Sequence, residues 1–295
     1  MRTRPNAFST KGVVASSSQI ASIAGAKIAA QGGNVADVAI ATSSVLCVTQ
    51  NNLCGLGGDL FALIRMNDKE VIDLNASGRA FEQATIDYFG ERGLSTLPAR
   101  GPGGAIMVPG IVSGWKHIHR EYCTMEVKDL LASAIRVAEE GFPVTQNYSE
   151  SIRISAKVFS GMQEWNRTFM PDRTAPAPGT VFRQKDLARS LKALADDGLS
   201  SFYDGHLADT IFRGLEGTGC LLQSSDLKKH VAIHGKAGST QIKGSRIYET
   251  GPNSQAYTAL LWLNLLKAGA KDGESIENES LSKILETGMI AYGQR

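Results

Sequence analysis

The chain has little that would suggest a metal site, a membrane segment or a nucleic-acid partner. Only 4 of its 295 residues are cysteines, and no two of them form a Cys-x-x-Cys pair. A zinc site or a disulfide framework is therefore not expected. No uninterrupted run of about 18 apolar residues occurs, so no membrane span is expected. The 31 basic and 29 acidic side chains leave a net charge of +2 without a basic block, which argues against nucleic-acid binding.

The N-terminus carries arginines without the apolar run that a secretory signal needs. Arg2 and Arg4 are followed by Pro5 and by Asn6-Ala7-Phe8-Ser9-Thr10, which contains no long apolar run. The segment is not typical of a signal peptide, so we expect a cytoplasmic protein. Hydrophobic residues make up 42% of the chain and charged residues 20%, which is typical of a globular protein.

The histidines and cysteines form no recognisable catalytic or metal-binding pattern, so we expect no metal and no cofactor. His117 and His119 lie two positions apart on a predicted helix and face different directions, whereas two ligands on one helix face need a spacing of three or four. Cys54 lies beside a glycine cluster, but no histidine stands in a recognisable relation to it. We therefore interpret Cys54 as a small, buried side chain.

The apolar pattern predicts a layered α/β structure. Two strands, Leu60–Met66 and Glu70–Leu74, flank the turn residues Asn67-Asp68-Lys69 and predict an antiparallel pair. Asn34 is expected to cap an almost entirely apolar helix that should be buried on two sides. Gln241–Ile247 is predicted to form a second hairpin or a bent strand around Gly244. Periodicity predicts helices over Gln19–Gln31, Val35–Val48, Val112–Glu121, Glu126–Gly141, Asn147–Gly161, Gln184–Asp196, Leu207–Leu215, Ser224–Lys229, Gln255–Ala268 and Glu279–Tyr292.

A glycine cluster, Cys54-Gly55-Leu56-Gly57-Gly58-Asp59, lies between the apolar helix and the first strand. Glycines at such a point let the backbone turn tightly and approach a neighbour or a ligand. The cluster is not a dinucleotide-binding loop, because that motif lies between a strand and a helix and has a third glycine where this chain has Leu60.

Several short motifs occur in an order that resembles the gamma-glutamyltransferase family of N-terminal-nucleophile hydrolases. The resemblance spans roughly Thr10 to Arg295, and the pattern around Asn75–Ala80 is similar to the branch with oxamate amidohydrolase-like members. The motifs that carry it are Gly12–Ser16, Gln31–Ala39, Cys54–Leu63, Asn75–Ala80, Val108–Trp115, Ala138–Val144, Phe202–Gly205 and Gly251–Gln255.

The resemblance implies that residues 1–295 are the large-subunit portion of such an enzyme. The implied fold is part of an αββα sandwich, with an added helical region at about 112–235 and without the C-terminal half. The family's nucleophile is a threonine freed by self-cleavage, whose own amine acts as general base. No matching Thr-Thr run occurs here, and Ser239-Thr240 is interpreted as a surface turn. We therefore assign no catalytic residue to this chain, expect it to be inactive alone, and expect a C-terminal small subunit as its partner.

Arg79 and Asn75 are the two predicted substrate-binding residues. In the family an arginine just after the second strand binds the α-carboxylate of the glutamyl group, and a guanidinium suits a carboxylate because it donates two parallel hydrogen bonds. Here Asn75 follows the predicted strand, and Arg79 lies four positions later. The substrate is expected to be a small amide or a gamma-glutamyl compound. A structural salt bridge is the alternative role for Arg79.

Three interpretations of function stay open at this level. The first is the large-subunit portion of a gamma-glutamyltransferase-like amide hydrolase or transferase, with an oxamate amidohydrolase-type amidase as the variant within it. The second is a truncated, non-catalytic relative. The third is an unrelated α/β enzyme, which would need a cluster of titratable groups that the sequence does not show.

Overall fold

A computed structural model of the chain describes residues 6–67, 69–101, 106–242, 244–269 and 280–294. The chain divides into two compact units. The first comprises Met1–Asp59 and Gly78–His230, and the second comprises Leu60–Ser77 and Val231–Arg295. Each unit is described by itself below.

Helices and strands both occur, which confirms the predicted α/β class. The described helices are α1 (Gln19–Ala30), α2 (Val35–Thr49), α3 (Ile86–Gly90), α4 (Ile111–Tyr122), α5 (Val127–Glu140), α6 (Gln146–Phe159), α7 (Gln163–Phe169), α8 (Lys185–Asp197), α9 (His206–Leu215), α10 (Ser224–Lys228), α11 (Ala256–Gly269) and α12 (Leu281–Gly293). The described strands are β1 (Leu60–Ile64), β2 (Ile72–Ala76), β3 (Phe142–Pro143), β4 (Val181–Phe182), β5 (Ile233–Lys236), β6 (Gly238–Ile242) and β7 (Ser245–Glu249).

The first unit is built around helix α2, as its apolar sequence predicts. Of its 15 residues, 10 are buried, and it packs against α1, α4 and α5. The core continues through α5 and α8 to an aromatic group in which Phe142, Tyr148 and Phe182 meet edge to face. Such pairs add about 0.5–1.5 kcal/mol each beyond the burial of their area. The helices from α4 to α10 lie between Ile111 and Lys228, followed by β5 in the second unit.

The start of α2 is fixed by a reciprocal cap. Asn34 Oδ1 accepts hydrogen bonds from the amides of Ala36 (2.8 Å) and Asp37 (3.1 Å), and Asp37 Oδ2 accepts one from the amide of Asn34 (2.8 Å). The fully buried Asp37 also accepts bonds from the hydroxyl and amide of Thr124 and from the amide of Met125. Burial alone would raise the pKa of Asp37, but these hydrogen bonds outweigh it and hold the pKa below its ordinary value.

The second unit contains an antiparallel sheet in the order β1-β2-β5. Strands β1 and β2 pair from Leu60 opposite Ala76 to Ile64 opposite Ile72, which confirms the predicted hairpin. Asn67 in its turn adopts a left-handed conformation with φ 55°, and Asp68 lies outside the described residues. Strand β5 pairs with β2 over Ile72–Asn75 and was not predicted.

A second hairpin, β6–β7, and helices α11 and α12 complete the second unit. Gly244 lies in the turn with φ 76°, as predicted. Ser239 and Thr240 lie within β6, so the predicted surface turn at this point is wrong. Thr240 is buried and donates to Asn264 of α11. Trp262 joins the two helices by donating to the carbonyl of Ile284 (3.1 Å). Among the described residues, no helix combines the length and apolar character that a membrane crossing requires.

Candidate active-site region

The glycine loop after α2 presents a carbonyl group to a neighbouring segment. The amide of Gly58 donates to the carbonyl of Gly55 (2.9 Å), which closes a tight turn. The carbonyl of Gly58 then accepts two hydrogen bonds, from the amides of Gly110 (2.8 Å) and Ile111 (3.0 Å). Both lone pairs of this oxygen are therefore used by the segment that leads into helix α4.

The same segment also holds the backbone of Arg79. The amide of Val108 donates to the carbonyl of Arg79 (3.0 Å). We call residues 108–111 the linking turn, because it bonds the glycine loop on one side and Arg79 on the other. Pro109 has no amide proton to give, so the donors on either side of it make these bonds.

The hydroxyl of a tyrosine that lies just before α9 fixes the linking turn. The hydroxyl of Tyr203 donates to the carbonyl of Pro109 (2.8 Å) and accepts from the amide of Ser113 (2.8 Å). Burial raises the pKa of Tyr203 above its ordinary range, so its proton is retained and the bond to Pro109 is kept. Tyr203 belongs to the Phe202–Gly205 motif. In the sequence this motif indicates family resemblance but no structural role for Tyr203.

Gly78 has no room for a side chain. A Cβ atom added there would lie 2.1 Å from the carbonyl oxygen of Val108 and 2.6 Å from Cβ of Met107. The glycine therefore lets residues 78–79 pass directly against the linking turn. The close approach and the Val108–Arg79 hydrogen bond place the Arg79 backbone in one position.

Residues 79–82 are held at their other end by helix α10. The fully buried Asp226 accepts hydrogen bonds from the amides of Glu82 and Gln223, both at 3.0 Å. Lys229 Nζ lies 2.6 Å from Glu82 Oε1, and this hydrogen bond and charge lower the pKa of Glu82. The segment that carries Arg79 is therefore fixed on both sides by contacts distant in sequence.

The guanidinium of Arg79 is exposed. In the described part of the chain it forms no ion pair with an acidic side chain. Its charge is felt at longer range by Glu82 and His230. A guanidinium in this state keeps its hydrogen-bond donors available for an anionic ligand.

His230 is a buried titratable group next to this region. Its ring centroid lies 5.6 Å from that of Tyr203, and Nε2 has no hydrogen-bond partner among the described residues. Burial, and after it the positive charge of Arg79, lower the pKa of His230 below its ordinary value of 6.5. The imidazole is therefore held in its neutral form at neutral pH.

Asn75 lies in the second unit and has committed hydrogen bonds. Its Nδ2 donates to Oδ1 of Asn253 (2.7 Å), and its Oδ1 accepts from the amide of Ser77 (3.0 Å). Asn253, with φ 65°, in turn donates to the hydroxyl of Ser77 (2.6 Å). The Asn75 amide thus holds the Gly251–Gln255 loop against the end of β2. It lies within β2, whereas the sequence placed it after the strand.

Cys54 has the properties of a poor nucleophile. It is half-buried, and burial followed by the nearby charge of Asp59 raises the pKa of its thiol. Little thiolate is therefore present at neutral pH. No group of three or more histidine, cysteine, aspartate or glutamate side chains suited to a metal ion occurs within the residues described.

Comparison with known proteins decides the family. Residues 21–295 match the Gamma-glutamyltranspeptidase family. The chain belongs to this family. It is 36% identical over 259 residues to the glutathione hydrolase-like YwrD proenzyme of Bacillus subtilis, covering 88% of this chain and 49% of that protein. It is 31% identical over 293 residues to the oxamate amidohydrolase proenzyme of Klebsiella pneumoniae, covering 97% and 55%. The chain thus spans about half the length of these two gamma-glutamyltranspeptidase relatives.

Two solved structures share the fold of this chain. The gamma-glutamyltranspeptidase of Helicobacter pylori superposes with a TM-score of 0.90 at 26% identity, covering 99% of this chain and 85% of the other. The cephalosporin acylase of Bacillus halodurans gives a TM-score of 0.90 at 32% identity, covering 99% and 55%. These matches confirm the predicted resemblance and the N-terminal-nucleophile fold.

A methyl group at Gly78 tests the close approach to the linking turn. We expect Gly78→Ala to lower the free energy of unfolding by about 2 kcal/mol, because backbone atoms rather than a flexible side chain occupy the space. Gly57→Ala is the matched control, since a Cβ there would meet no atom within 4 Å. Urea denaturation of both variants measures the difference, and equal losses would contradict the proposed crowding.

The lowered pKa of His230 predicts a pH-dependent stability. Well above pH 6.5 His230 is neutral in the folded and unfolded chains and contributes no pH dependence. As the pH falls below 6.5, the unfolded chain takes up a proton that the folded chain resists, so the folded state loses stability. The variant His230→Phe should lose less stability between pH 8 and pH 5 than the original chain. Urea denaturation across this range checks it, with exposed His206→Gln as control. Parallel pH profiles for the original chain and His230→Phe would refute the assignment.

Proposed function

We propose that this chain is the large-subunit portion of a gamma-glutamyltranspeptidase-family amide hydrolase or transferase. In this proposal Arg79 binds a substrate carboxylate, and the threonine nucleophile comes from a C-terminal segment outside this chain. The observation that carries it is the exposed Arg79 guanidinium, without an ion pair in the described residues, on a segment fixed by the linking turn and α10. Membership in the family and the relatives' proenzyme names support it.

Arg79 would act by orienting the substrate rather than by reacting with it. Two parallel hydrogen bonds from its guanidinium to a carboxylate fix both the position and the plane of that group. Fixing the carboxylate fixes the attached amide carbonyl relative to an incoming nucleophile, which lowers the entropic part of the barrier. The rigid backbone at Arg79 suits this task because a positioning residue is effective only if it is itself held in place.

An amidase that acts on short carboxylate amides is the variant that one specific observation favours. Asn75 Nδ2 donates to Oδ1 of Asn253 (2.7 Å) and to the carbonyl of Pro252 (3.5 Å), so both of its N–H groups are used within the second unit and not for the carboxylate of a longer gamma-glutamyl group. In an oxamate-like substrate the carboxylate is bonded directly to the amide carbonyl, whereas three carbons separate the two in a gamma-glutamyl amide. Comparing these two substrate classes on the complete enzyme distinguishes them.

The isolated chain and its natural precursor test the division of the enzyme into two parts. We expect the purified 295-residue chain to show no turnover of a gamma-glutamyl anilide, because without the nucleophile no acyl-enzyme forms. Mass spectrometry of the natural gene product should reveal a second chain that begins with threonine. Substantial turnover by the 295-residue chain alone would contradict the proposal.

The cytoplasmic location predicted from the sequence stays a prediction.

Replacing Arg79 tests its binding role. In the complete enzyme, Arg79→Ala should raise KM by about 10- to 100-fold, because a hydrogen bond to a charged group contributes about 1.5–3 kcal/mol. The melting temperature should hardly change, since Arg79 is exposed. Arg79→Lys is the matched control: it keeps the charge but loses the paired donors, and should give a smaller rise. A lower melting temperature with an unchanged KM would assign Arg79 a structural role instead.

A further inference from the structure

A cavity of about 460 Å³ lies beside the region that holds Arg79, and all of its lining residues belong to the first unit. One wall is formed by the glycine loop at Leu56 and Gly57, by Phe81, and by Met107 and Pro109. Other lining residues belong to α8 and α9 and to the segment just beyond α9, among them Leu187, Ile211, Leu215 and Leu222. Its volume falls within the range of small-molecule sites.

The chemistry of the walls selects an apolar occupant. No charged side chain lines the cavity, and its polar side chains are Ser190, Thr210 and Cys220. The hydroxyl of Ser190 donates to the carbonyl of Asp186 (3.3 Å), and that of Thr210 to the carbonyl of His206 (2.9 Å). Both hydroxyl protons are thus used within their own helices. A phosphate, a sugar or a peptide would lose hydrogen bonds to water here that these side chains could not replace.

The cavity shares a wall with the segment that carries the Arg79 guanidinium. Met107 and Pro109 both line the cavity, and the amide of Val108 between them donates to the carbonyl of Arg79 (3.0 Å). Phe81, two residues after Arg79, lines it as well. The backbone of Arg79 therefore lies next to the apolar cavity, and its exposed cationic side chain, which is not part of the lining, extends from that segment. An amphipathic anion suits a cation and an apolar cavity on neighbouring segments.

We propose that this cavity binds the medium-length acyl chain of a ligand whose carboxylate pairs with Arg79. Burial of apolar chain supplies the affinity, at about 0.8 kcal/mol per methylene group, and Arg79 fixes the carboxylate end. That the ligand is a substrate of the enzyme rests on the proposed function, whereas binding of the acyl carboxylate to this chain does not.

Decanoate is the probe, and calorimetry on the complete 295-residue chain measures its affinity. The original chain should bind decanoate and should not bind acetate. Arg79→Ala should lower the affinity for decanoate by about tenfold or more. Decanol, which lacks the carboxylate, should bind more weakly than decanoate and be insensitive to Arg79→Ala. Equal weakening of decanol and decanoate by Arg79→Ala would overturn the pairing with the carboxylate.

Gly214 offers a way to fill the cavity without disturbing the fold. It lies in α9 and lines the cavity, and a Cβ added there would meet no atom within 4 Å. Leucine also favours helix more than glycine does. Gly214→Leu should therefore fold and reduce decanoate affinity by tenfold or more. Gly90→Leu is the matched control: Gly90 ends helix α3, has open space for a Cβ and does not line the cavity. Unchanged decanoate binding by Gly214→Leu would overturn the proposal.

Cys220 gives a local readout, because it is a free cysteine and one of the residues that line the cavity. Decanoate should slow the alkylation of Cys220 more than it slows the alkylation of Cys54. Peptide mass spectrometry measures both rates. Equal protection of both thiols would contradict binding in the cavity. If decanoate does not bind but Arg79→Ala raises KM, the cavity assignment fails alone. If decanoate binds and Gly214→Leu blocks it while Arg79→Ala leaves KM unchanged, the proposed function fails and the cavity assignment stands.

Discussion

The hydrogen bonds of the linking turn at residues 108–111 are the constraint on which the rest of the candidate site depends. One carbonyl, that of Gly58, accepts from two successive amides, and the amide of Val108 donates to Arg79. Without these bonds the glycine loop and the arginine segment would be two independent surface loops. These bonds join the glycine loop and the arginine segment into one backbone arrangement, which also forms a wall of the apolar cavity.

This arrangement separates the roles of rigid and exposed groups. Among the described residues, the buried Tyr203 hydroxyl and Asp226 carboxylate form their hydrogen bonds to backbone groups, which they hold in place. The Arg79 guanidinium remains exposed, and its donors stay available for a ligand. A recognition residue gains selectivity from this division, because the entropy of ordering its backbone is lost on folding and not again on binding.

Much of the fold could be predicted because its helices and one hairpin have strong local signals. The apolar run of α2 with its Asn34–Asp37 cap agrees with the structure closely, and the hairpin around Asn67 is present with its second strand at Ile72–Ala76 instead of Glu70–Leu74. Strand β5 was missed because its exposed residues, including a glycine and a histidine, have neither apolar alternation nor β-branched enrichment. Ser239 and Thr240 precede strand-like sequence and are predicted to form a surface turn. Their tertiary contacts place them in a strand instead.

The candidate site was less predictable than the fold. Family resemblance predicts substrate-binding roles for Arg79 and Asn75, and the structure gives the two side chains different environments. The Arg79 guanidinium is exposed, whereas the Asn75 side chain is hydrogen-bonded to Asn253. The sequence predicts neither Tyr203 nor Asp226 as a support of the site, although Tyr203 belongs to the Phe202–Gly205 motif. Their roles arise from hydrogen bonds between segments distant in sequence, and no periodicity or local spacing reports such contacts.

The supports of Arg79 also have a consequence for the order in which the chain folds. Tyr203 reaches back 94 residues to Pro109, and Asp226 reaches back 144 residues to Glu82. Closing a loop of this length costs more chain entropy than forming the local contacts within a helix. The bundle of α1, α2 and α5 can therefore assemble during synthesis before α9 and α10 have left the ribosome, whereas the arginine segment becomes ordered only after they arrive. A chain that is still incomplete at α10 is expected to have a folded core but no ordered binding arginine.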